Sequence, residues 1–182
     1  IIEGAQGTGL DVDMGTIPDQ TSSHLLAQHA FAGLGLSRRG FTICGVEKIY
    51  PTRVGKGDLP TLAEDDFGRE TVQNAGERGA TTGRTRRVGY PDWVFTRRAA
   101  RINDCDFIYL TRADNVQNRD IKACIDYEDE RGESLRGEVP LSLKGIKPIY
   151  HPASFRWVLW NEGPVDLSDP TKVDDALRAK RR

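Results

Sequence analysis

Two glycine-rich stretches of this sequence concentrate the side chains best suited to chemistry. The first runs from Glu3 to Thr8 (EGAQGT), and the second covers residues 79–89 (GATTGRTRRVG). Glycines at this density let backbone N–H groups approach a small anion, and Thr hydroxyls and Arg guanidinium groups complete such a contact. The first stretch is equally well explained as a tight connection from a strand to a helix. The second is either a solvated basic loop or, as its glycines and hydroxyls favour, an anion-binding loop.

Further polar residues follow the first stretch. The pair Asp11 and Asp13 indicates either a metal site or structural hydrogen bonding, and the absence of a third nearby carboxylate favours structure. Thr21, Ser22 and Ser23 provide hydroxyls for an anion or caps for the helix that follows. Gln6 carries both an amide donor and an acceptor, which suits the edge of a base or a carboxamide. The three histidines, His24, His29 and His151, form no pattern with Ser or Cys that indicates a nucleophile.

Charge and composition narrow the class of protein. The 182 residues include 26 basic and 27 acidic ones, so the net charge is −1 and nucleic acid is not expected as a partner. The three cysteines are an odd number without metal-ligand spacing, which predicts reduced structural thiols in a cytoplasmic protein. No apolar run approaches about 18 residues, so we expect no membrane partner.

Hydrophobic periodicity and turn residues predict the elements that position these loops. Helices are predicted over residues 24–36, 91–103 and from 169 onward. Strands are predicted at residues 1–2 (the end of one), 41–54 (one or two), 107–110 (buried), 121–127 and 155–160. Residues 55–61 and 130–132 are predicted as a loop and a turn, and residues 65–78 as a polar surface segment.

The order of these elements predicts an α/β fold. Strands alternate with helices and glycine loops follow strand ends, which is typical of a mostly parallel central sheet flanked by helices, with ligands at the carboxyl ends of the strands. We expect residues 1–182 to form a single domain. Because no Met precedes Ile1 and the chain begins within a predicted strand, we also expect further residues upstream.

Several motifs occur in an order that resembles the adenylosuccinate synthetase family. They are EGAQGT at 3–8, DVD at 11–13, GT at 15–16, TSS at 21–23, TRVG at 52–55, PT at 60–61, GATTGR at 79–84, RR at 86–87, Gly89 and LTxxD at 110–114. The resemblance covers most of the chain, weakens after residue 130 and corresponds to the later half of such an enzyme. It implies the P-loop-ligase-like fold of that family, with an N-terminal half lying upstream, and a homodimer.

The family joins the amino group of aspartate to carbon 6 of IMP, driven by GTP through a 6-phosphoryl intermediate. The resemblance implies that Gln6 holds the purine near O6 as a catalytic group, Thr21 the 5′-phosphate and the Val54 backbone the ribose. It assigns aspartate to Thr81, Thr82, Arg84 and Arg86, with Arg84 also contacting the substrate nucleotide and Arg86 the triphosphate. It assigns the base of GTP to Arg112, Asp114, Asn161 and Gly163.

Three departures from the family keep alternatives open. The family has Lys where Arg112 stands, Asn where His24 stands and Ser-Thr-Gly-Pro where residues 161–164 stand. One alternative is the phage-type branch, which uses dGMP and ATP. Another is a non-catalytic purine-nucleotide-binding protein. The family's phosphate loop, catalytic Asp and His, and Mg²⁺ contacts have no counterpart here, so we expect them upstream and the isolated chain to be inactive.

Overall fold

A computed structural model of the chain describes residues 1–79 and 83–156. The helices are α1 (Ala27–Leu34), α2 (Asp66–Asn74) and α3 (Trp93–Asn103), with short 3₁₀ turns at Thr8–Leu10 and Ala113–Val116. The strands are β1 (Cys44–Lys48), β2 (Thr52–Arg53), β3 (Arg87–Val88), β4 (Phe107–Thr111), β5 (Asp120–Ile121), β6 (Cys124–Glu128), β7 (Lys147–Tyr150) and β8 (Phe155–Arg156).

The strands form four two-stranded pairs. β1 and β4 are parallel, in register from Cys44 opposite Phe107 to Lys48 opposite Thr111. The pairs β2/β3, β5/β8 and β6/β7 are antiparallel. A parallel pair needs a long crossover connection, and the one between β1 and β4 contains α2 and α3. The predicted α/β class is confirmed, and the parallel pairing within the described residues is that of β1 with β4.

Two of the predicted helices are confirmed. α3 begins after Asp92, whose carboxylate accepts a hydrogen bond from the Phe95 N–H at 3.1 Å, and it ends at Asp104 in the left-handed conformation. α1 lies within the predicted range and ends at Gly35, with φ of 64°. The tail helix predicted from residue 169 lies outside the described residues.

The prediction of a surface segment at 65–78 is wrong, because these residues form α2 and one of its faces is buried. Asp65 caps the helix by accepting from the Gly68 N–H at 3.4 Å. Phe67, Gly68 and Thr71 are buried. A side chain at Gly68 would collide with the carbonyl oxygen of Ala63, so only glycine allows this close approach.

The strand predictions need other corrections. Residues 1–2 form no strand, and Ile1 is fully exposed. β4 has the predicted position but is not buried, since Tyr109 is 62% exposed and most of its side chains face solvent. Residues 121–127 form parts of β5 and β6 rather than one strand, and β7 was not predicted. The last strand begins at Phe155 as predicted, and its course after residue 156 lies outside the described residues.

The core consists of two clusters beside these strands. The larger one comprises Ile49, Tyr50, Ala63, Phe67, Val88, Tyr90, Val116 and Ile121, and the smaller one Val94, Cys124 and Tyr127. Phe67 stacks on Tyr90 with ring centroids 4.7 Å apart, so α2 is held against the segment after β3. All three cysteines are free, and Cys124 is buried as expected of a structural thiol. Among the described residues, no helix is long and apolar enough to span a membrane.

Candidate active site

The first segment, residues 3–25, is organised around the carboxylate of Asp11. Asp11 is fully buried and accepts backbone hydrogen bonds from Asp13 and Met14, each at 2.9 Å, and from Leu25 at 2.5 Å. Burial by itself raises the pKa of this carboxyl, but the backbone donors, Leu25 first, outweigh it and hold the pKa below its ordinary value. The expected structural role of Asp11 is therefore confirmed.

The arrangement around Asp11 does not fit a metal centre, although ligand atoms of Asp11, His24 and His29 lie within 4.8 Å of one another. The two imidazole rings stack with centroids 3.8 Å apart and planes 16° apart. Their lone pairs lie in nearly parallel planes and cannot meet at one ion. His24 Nδ1 instead lies 3.2 Å from the carboxylate of Asp13.

Helix α3 holds the first segment in place through two side chains. Asn103 donates to the Thr8 hydroxyl at 3.0 Å and accepts from the Ala27 N–H at 2.9 Å, so it joins this segment to the start of α1. Arg98 donates to the Met14 carbonyl at 2.7 Å. Because Asn103 is buried, its two contacts fix the segment more firmly than exposed polar contacts do.

Within this frame, Gln6 and Thr21 have different local structures. Gln6 is exposed and lies in the left-handed region with φ of 59°, a conformation that non-glycine residues seldom adopt. The Thr21 hydroxyl accepts from the Ser23 N–H at 3.2 Å, and the Thr21 N–H donates to the Leu10 carbonyl at 2.7 Å. The alternative that residues 21–23 cap α1 is wrong, because its N-cap is Leu26.

An ion pair joins the first segment to the motif at residues 52–55. Arg53 lies 2.9 Å from the carboxylate of Asp19, so Val54, the next residue, follows a backbone tied to the first segment. Val54 is partly exposed. On the other side, β2 pairs with β3, and the Gly89 N–H donates to the Pro51 carbonyl at 2.9 Å. The motifs at 52–55 and 79–89 are therefore neighbours in space.

The second glycine loop, residues 79–89, is closed by backbone hydrogen bonds. Gly79 N–H donates to the Arg84 carbonyl at 2.8 Å, and Arg86 N–H donates to the Glu77 carbonyl at 2.9 Å. Gly83 has φ of 63°, so the turn needs a residue that tolerates the left-handed region. Arg84 is exposed on this loop and Arg86 is partly buried. Thr81 and Thr82 lie outside the described residues.

Glu77, which the sequence reasoning did not single out, lies at the base of this loop. Its carboxylate is 4% exposed and accepts from Lys48 Nζ at 2.8 and 2.9 Å and from the Tyr50 hydroxyl at 3.1 Å. Arg86 NH1 lies 3.9 Å from the same carboxylate. Burial lowers the pKa of Lys48, and the hydrogen bonds that Lys48 donates to Glu77 oppose that shift. Nothing in the sequence marked Glu77, since it is one acidic residue in a polar stretch.

Arg112 and Asp114 follow the carboxyl end of β4. Arg112 has φ of 62°, the second candidate binding residue in the left-handed region. Asp114 is exposed, and its carboxylate accepts from the Asn115 side-chain amide at 3.2 Å. In the described part of the chain, no ion pair joins Arg112 to Asp114, and Asp114 lies within the 3₁₀ turn Ala113–Val116, whose N-cap is Arg112. Asn161 and Gly163 lie outside the described residues.

Polar and cationic groups therefore gather where the parallel strands end. Lys48 ends β1, Thr111 ends β4 opposite it, and Arg112 follows, close enough that its positive charge lowers the pKa of Lys48. Glu77 joins Lys48 to the second loop. The fold and this edge define an α/β protein with polar and cationic side chains at the carboxyl ends of its parallel strands, which is where such folds commonly bind ligands.

Comparison with known proteins identifies the family. The sequence model of the family described as adenylosuccinate synthetase matches residues 1–162. The chain belongs to the adenylosuccinate synthetase family, which confirms the resemblance found in the sequence. Adenylosuccinate synthetase of Thermodesulfovibrio yellowstonii is 37% identical over 180 residues, and that of Desulforamulus reducens 41% identical over 187. The matches cover 96% and 100% of this chain but only 41% and 42% of those relatives' own length.

Solved structures agree with the sequence relatives. Fully ligated adenylosuccinate synthetase from Plasmodium falciparum is similar with a TM-score of 0.79 and 31% identity, over 97% of this chain and 43% of that one. Cyanophage S-2L succinoaminodeoxyadenylate synthetase, bound to dGMP and dATP, is similar with a TM-score of 0.50 and 24% identity. That match covers 60% of this chain and 34% of the cyanophage protein, and it shows a shared fold only.

Proposed function

We propose that the protein containing these residues is a ligase that joins the amino group of aspartate to carbon 6 of IMP with hydrolysis of GTP, giving adenylosuccinate. The match of the family over residues 1–162 carries this proposal. The packing supports it, because the motif-bearing segments are tied to one another through Asp19–Arg53, the β2/β3 pair and Glu77–Lys48. The described residues supply the substrate side of such a site.

In this proposal the first segment binds IMP. Gln6 presents an exposed amide, which offers a donor to the purine O6 and an acceptor to a ring N–H. The Thr21 hydroxyl donates only over a long 3.4 Å contact to the Ser23 carbonyl, which a 5′-phosphate oxygen can replace. Val54 is 39% exposed, and in this proposal its backbone contacts the ribose. These groups fix the reacting carbon by position rather than by covalent chemistry.

The second loop binds aspartate and phosphate oxygens. Arg84 and Arg86 provide guanidinium forks, which match carboxylate and phosphate geometry in pairs of hydrogen bonds. In the described part of the chain, Arg86 Nε is buried without a hydrogen-bond partner. Such a donor is suited to a ligand oxygen that arrives with the substrate. Thr81 and Thr82 complete the aspartate site, and Arg84 also reaches the nucleotide.

Asp114 recognises the base of the triphosphate by accepting hydrogen bonds from it. Its exposed carboxylate is suited to accept from guanine N1–H and the 2-amino group together, a pair that adenine does not offer. Arg112, Asn161 and Gly163 lie against the same base, and Arg86 contacts the triphosphate. Asp11 already accepts three backbone hydrogen bonds, which supports placing the family's Mg²⁺ ligands elsewhere in the whole protein.

The test uses the whole natural protein that carries these residues, supplied with aspartate and either IMP or dGMP, and with either GTP or ATP. Mass spectrometry of the nucleotide product decides the chemistry. We expect adenylosuccinate from IMP and GTP. A succinylated product from dGMP and ATP assigns the protein to the phage-type branch, and binding of IMP without any product assigns it to the non-catalytic class.

The assembly and location follow from the same proposal. We infer a homodimer in the cytoplasm, as the family resemblance implies. Light scattering of the whole protein measures the mass directly, and a single protomer's mass at assay concentration contradicts the dimer. Fractionation of the source cells tests the location.

A further inference from the structure

Glu77 is a buried carboxylate shared by groups from three parts of the chain. Lys48 comes from the end of β1, Tyr50 from the segment that follows it, and Arg86 from the second glycine loop. A carboxylate that is 4% exposed needs compensating charge and hydrogen bonds, and here it has both.

Arg86 is tied to Glu77 twice. Its backbone N–H donates to the Glu77 carbonyl at 2.9 Å, and its guanidinium NH1 lies 3.9 Å from the Glu77 carboxylate. The first contact fixes the backbone position of Arg86, and the second attracts its guanidinium group. Among the described residues, Arg86 Nε is buried without a hydrogen-bond partner, so this donor is left for a ligand.

The same carboxylate separates two positive charges. Lys48 and Arg86 both lie within 4.0 Å of it, and the positive charge of Arg112 lowers the pKa of Lys48. Without the negative charge, Lys48 and Arg86 repel each other across a poorly solvated gap. Of these two residues we expect Arg86 to move, because it lies on a loop, whereas the backbone of Lys48 is fixed in a strand.

We propose that Glu77 is the positioning residue that holds the Arg86 guanidinium in its substrate-binding orientation, at the junction of the second loop with the ends of β1 and β4. This inference rests on the proposed function, because Arg86 matters to aspartate only if the site is that of the ligase. Glu77 itself touches no substrate. It acts by holding the Arg86 guanidinium, which contacts the substrate.

The experiment compares Glu77→Gln with Glu70→Gln in the whole natural protein. Glu70 lies on α2, is mostly exposed and pairs with Arg119 at 3.0 Å, so it undergoes the same chemical change at a surface ion pair. For Glu77→Gln we expect the KM for aspartate to rise about tenfold while the KM for IMP changes less than about twofold. For Glu70→Gln we expect neither to change.

A double-mutant cycle with Arg86→Ala tests whether Glu77 acts through Arg86. The double variant Glu77→Gln/Arg86→Ala should have the same aspartate KM as Arg86→Ala alone, because the charge to be positioned is already gone. Fully additive effects overturn the inference. So do equal losses for IMP and aspartate, which indicate general loosening of the fold.

A second variant covers the case in which Glu77→Gln does not fold. Glu77→Asp keeps the negative charge but draws it back by one methylene group from both Lys48 and Arg86, and it should raise the aspartate KM selectively but less. An unchanged KM in folded Glu77→Asp then overturns the inference. If Arg86→Ala alone leaves the aspartate KM unchanged, the assignment of Arg86 under the proposed function fails. If Arg86→Ala raises it and the Glu77 variants do not, only the role of Glu77 fails.

Discussion

Replacing Asp11 by Asn should destabilise the protein by about 3 kcal/mol, because the carboxylate is the hub of the first segment. The carbonyl oxygen of the new amide would keep the bonds from Asp13 and Met14. Its NH₂ group would face the Leu25 N–H, donor against donor, where the carboxylate now accepts at 2.5 Å. Losing one charge-assisted hydrogen bond and leaving a buried donor unpaired costs roughly 2–3 kcal/mol, and the two surviving bonds weaken without the charge.

Urea denaturation followed by circular dichroism measures this loss. The matched control is Asp13→Asn, since Asp13 is 61% exposed and its partner His24 is 50% exposed. An exposed pair of this kind is worth at most about 1 kcal/mol. If the two variants unfold within about 0.5 kcal/mol of each other, the three backbone hydrogen bonds do not hold the segment as described.

The pH dependence gives an independent check of the same reasoning. The pKa of Asp11 is lowered in the folded state, so its contribution to stability is fully present above the unfolded value of about 4. It is lost as the pH falls through the folded pKa. The difference between wild type and Asp11→Asn should therefore be constant from about pH 5 to 8 and shrink below about pH 4. A difference that grows on acidification contradicts this.

Four other substitutions test the site and the core. Arg84→Leu should raise the KM for aspartate about 30-fold or more, a loss of roughly 2–4 kcal/mol of binding, with an unchanged melting temperature; unchanged kinetics would make it a structural residue. Asp114→Asn should abolish a preference for GTP over ATP, measured as the ratio of kcat/KM, and a ratio that stays the same removes Asp114 from the site. Burial raises the folded pKa of Glu47, so its ionisation costs stability as the pH rises above about 4; Glu47→Gln should increase the unfolding free energy at about pH 8 and not at about pH 3.5. Tyr127→Phe removes the hydroxyl that donates to buried Asp92 and should lower stability by about 1.5–3 kcal/mol in the same denaturation assay; a loss below about 0.5 kcal/mol would contradict it.

Local signals in the sequence were enough to predict α3. Asp92 after Pro91 is a cap signal, and the apolar residues behind it repeat at helical spacing, so both boundary and type were confirmed. Helix α2 was missed because its buried face uses Gly68 and Thr71, which do not register as hydrophobic, and only Phe67 marks it. The Asp65 cap was present but was not recognised without an apolar pattern beside it.

The residues of the candidate site also differ in whether local sequence signals identify them. Gln6, Arg84 and Asp114 could be proposed as site residues from the sequence, because they stand within motifs of consecutive residues. Glu77 was not found, because its importance arises from Lys48, 29 residues earlier, reaching it in the folded chain. Burial of β4 was overestimated for a related reason: an apolar run shows that a strand is suited to burial, whereas its neighbours decide whether it is covered.

The attachment of the first segment to α3 has a consequence during synthesis of the protein. Ala27, Met14 and Thr8 find their partners in α3 only after 76, 84 and 95 further residues. At about 5–20 residues per second, roughly 5–20 s pass on the ribosome between the appearance of Thr8 and that of Asn103. A segment that stays unpaired for this time must not aggregate with other chains. The glycines and hydroxyls of residues 3–25, which suit contact with a nucleotide, also leave the segment without the apolar run that promotes aggregation before α3 is made.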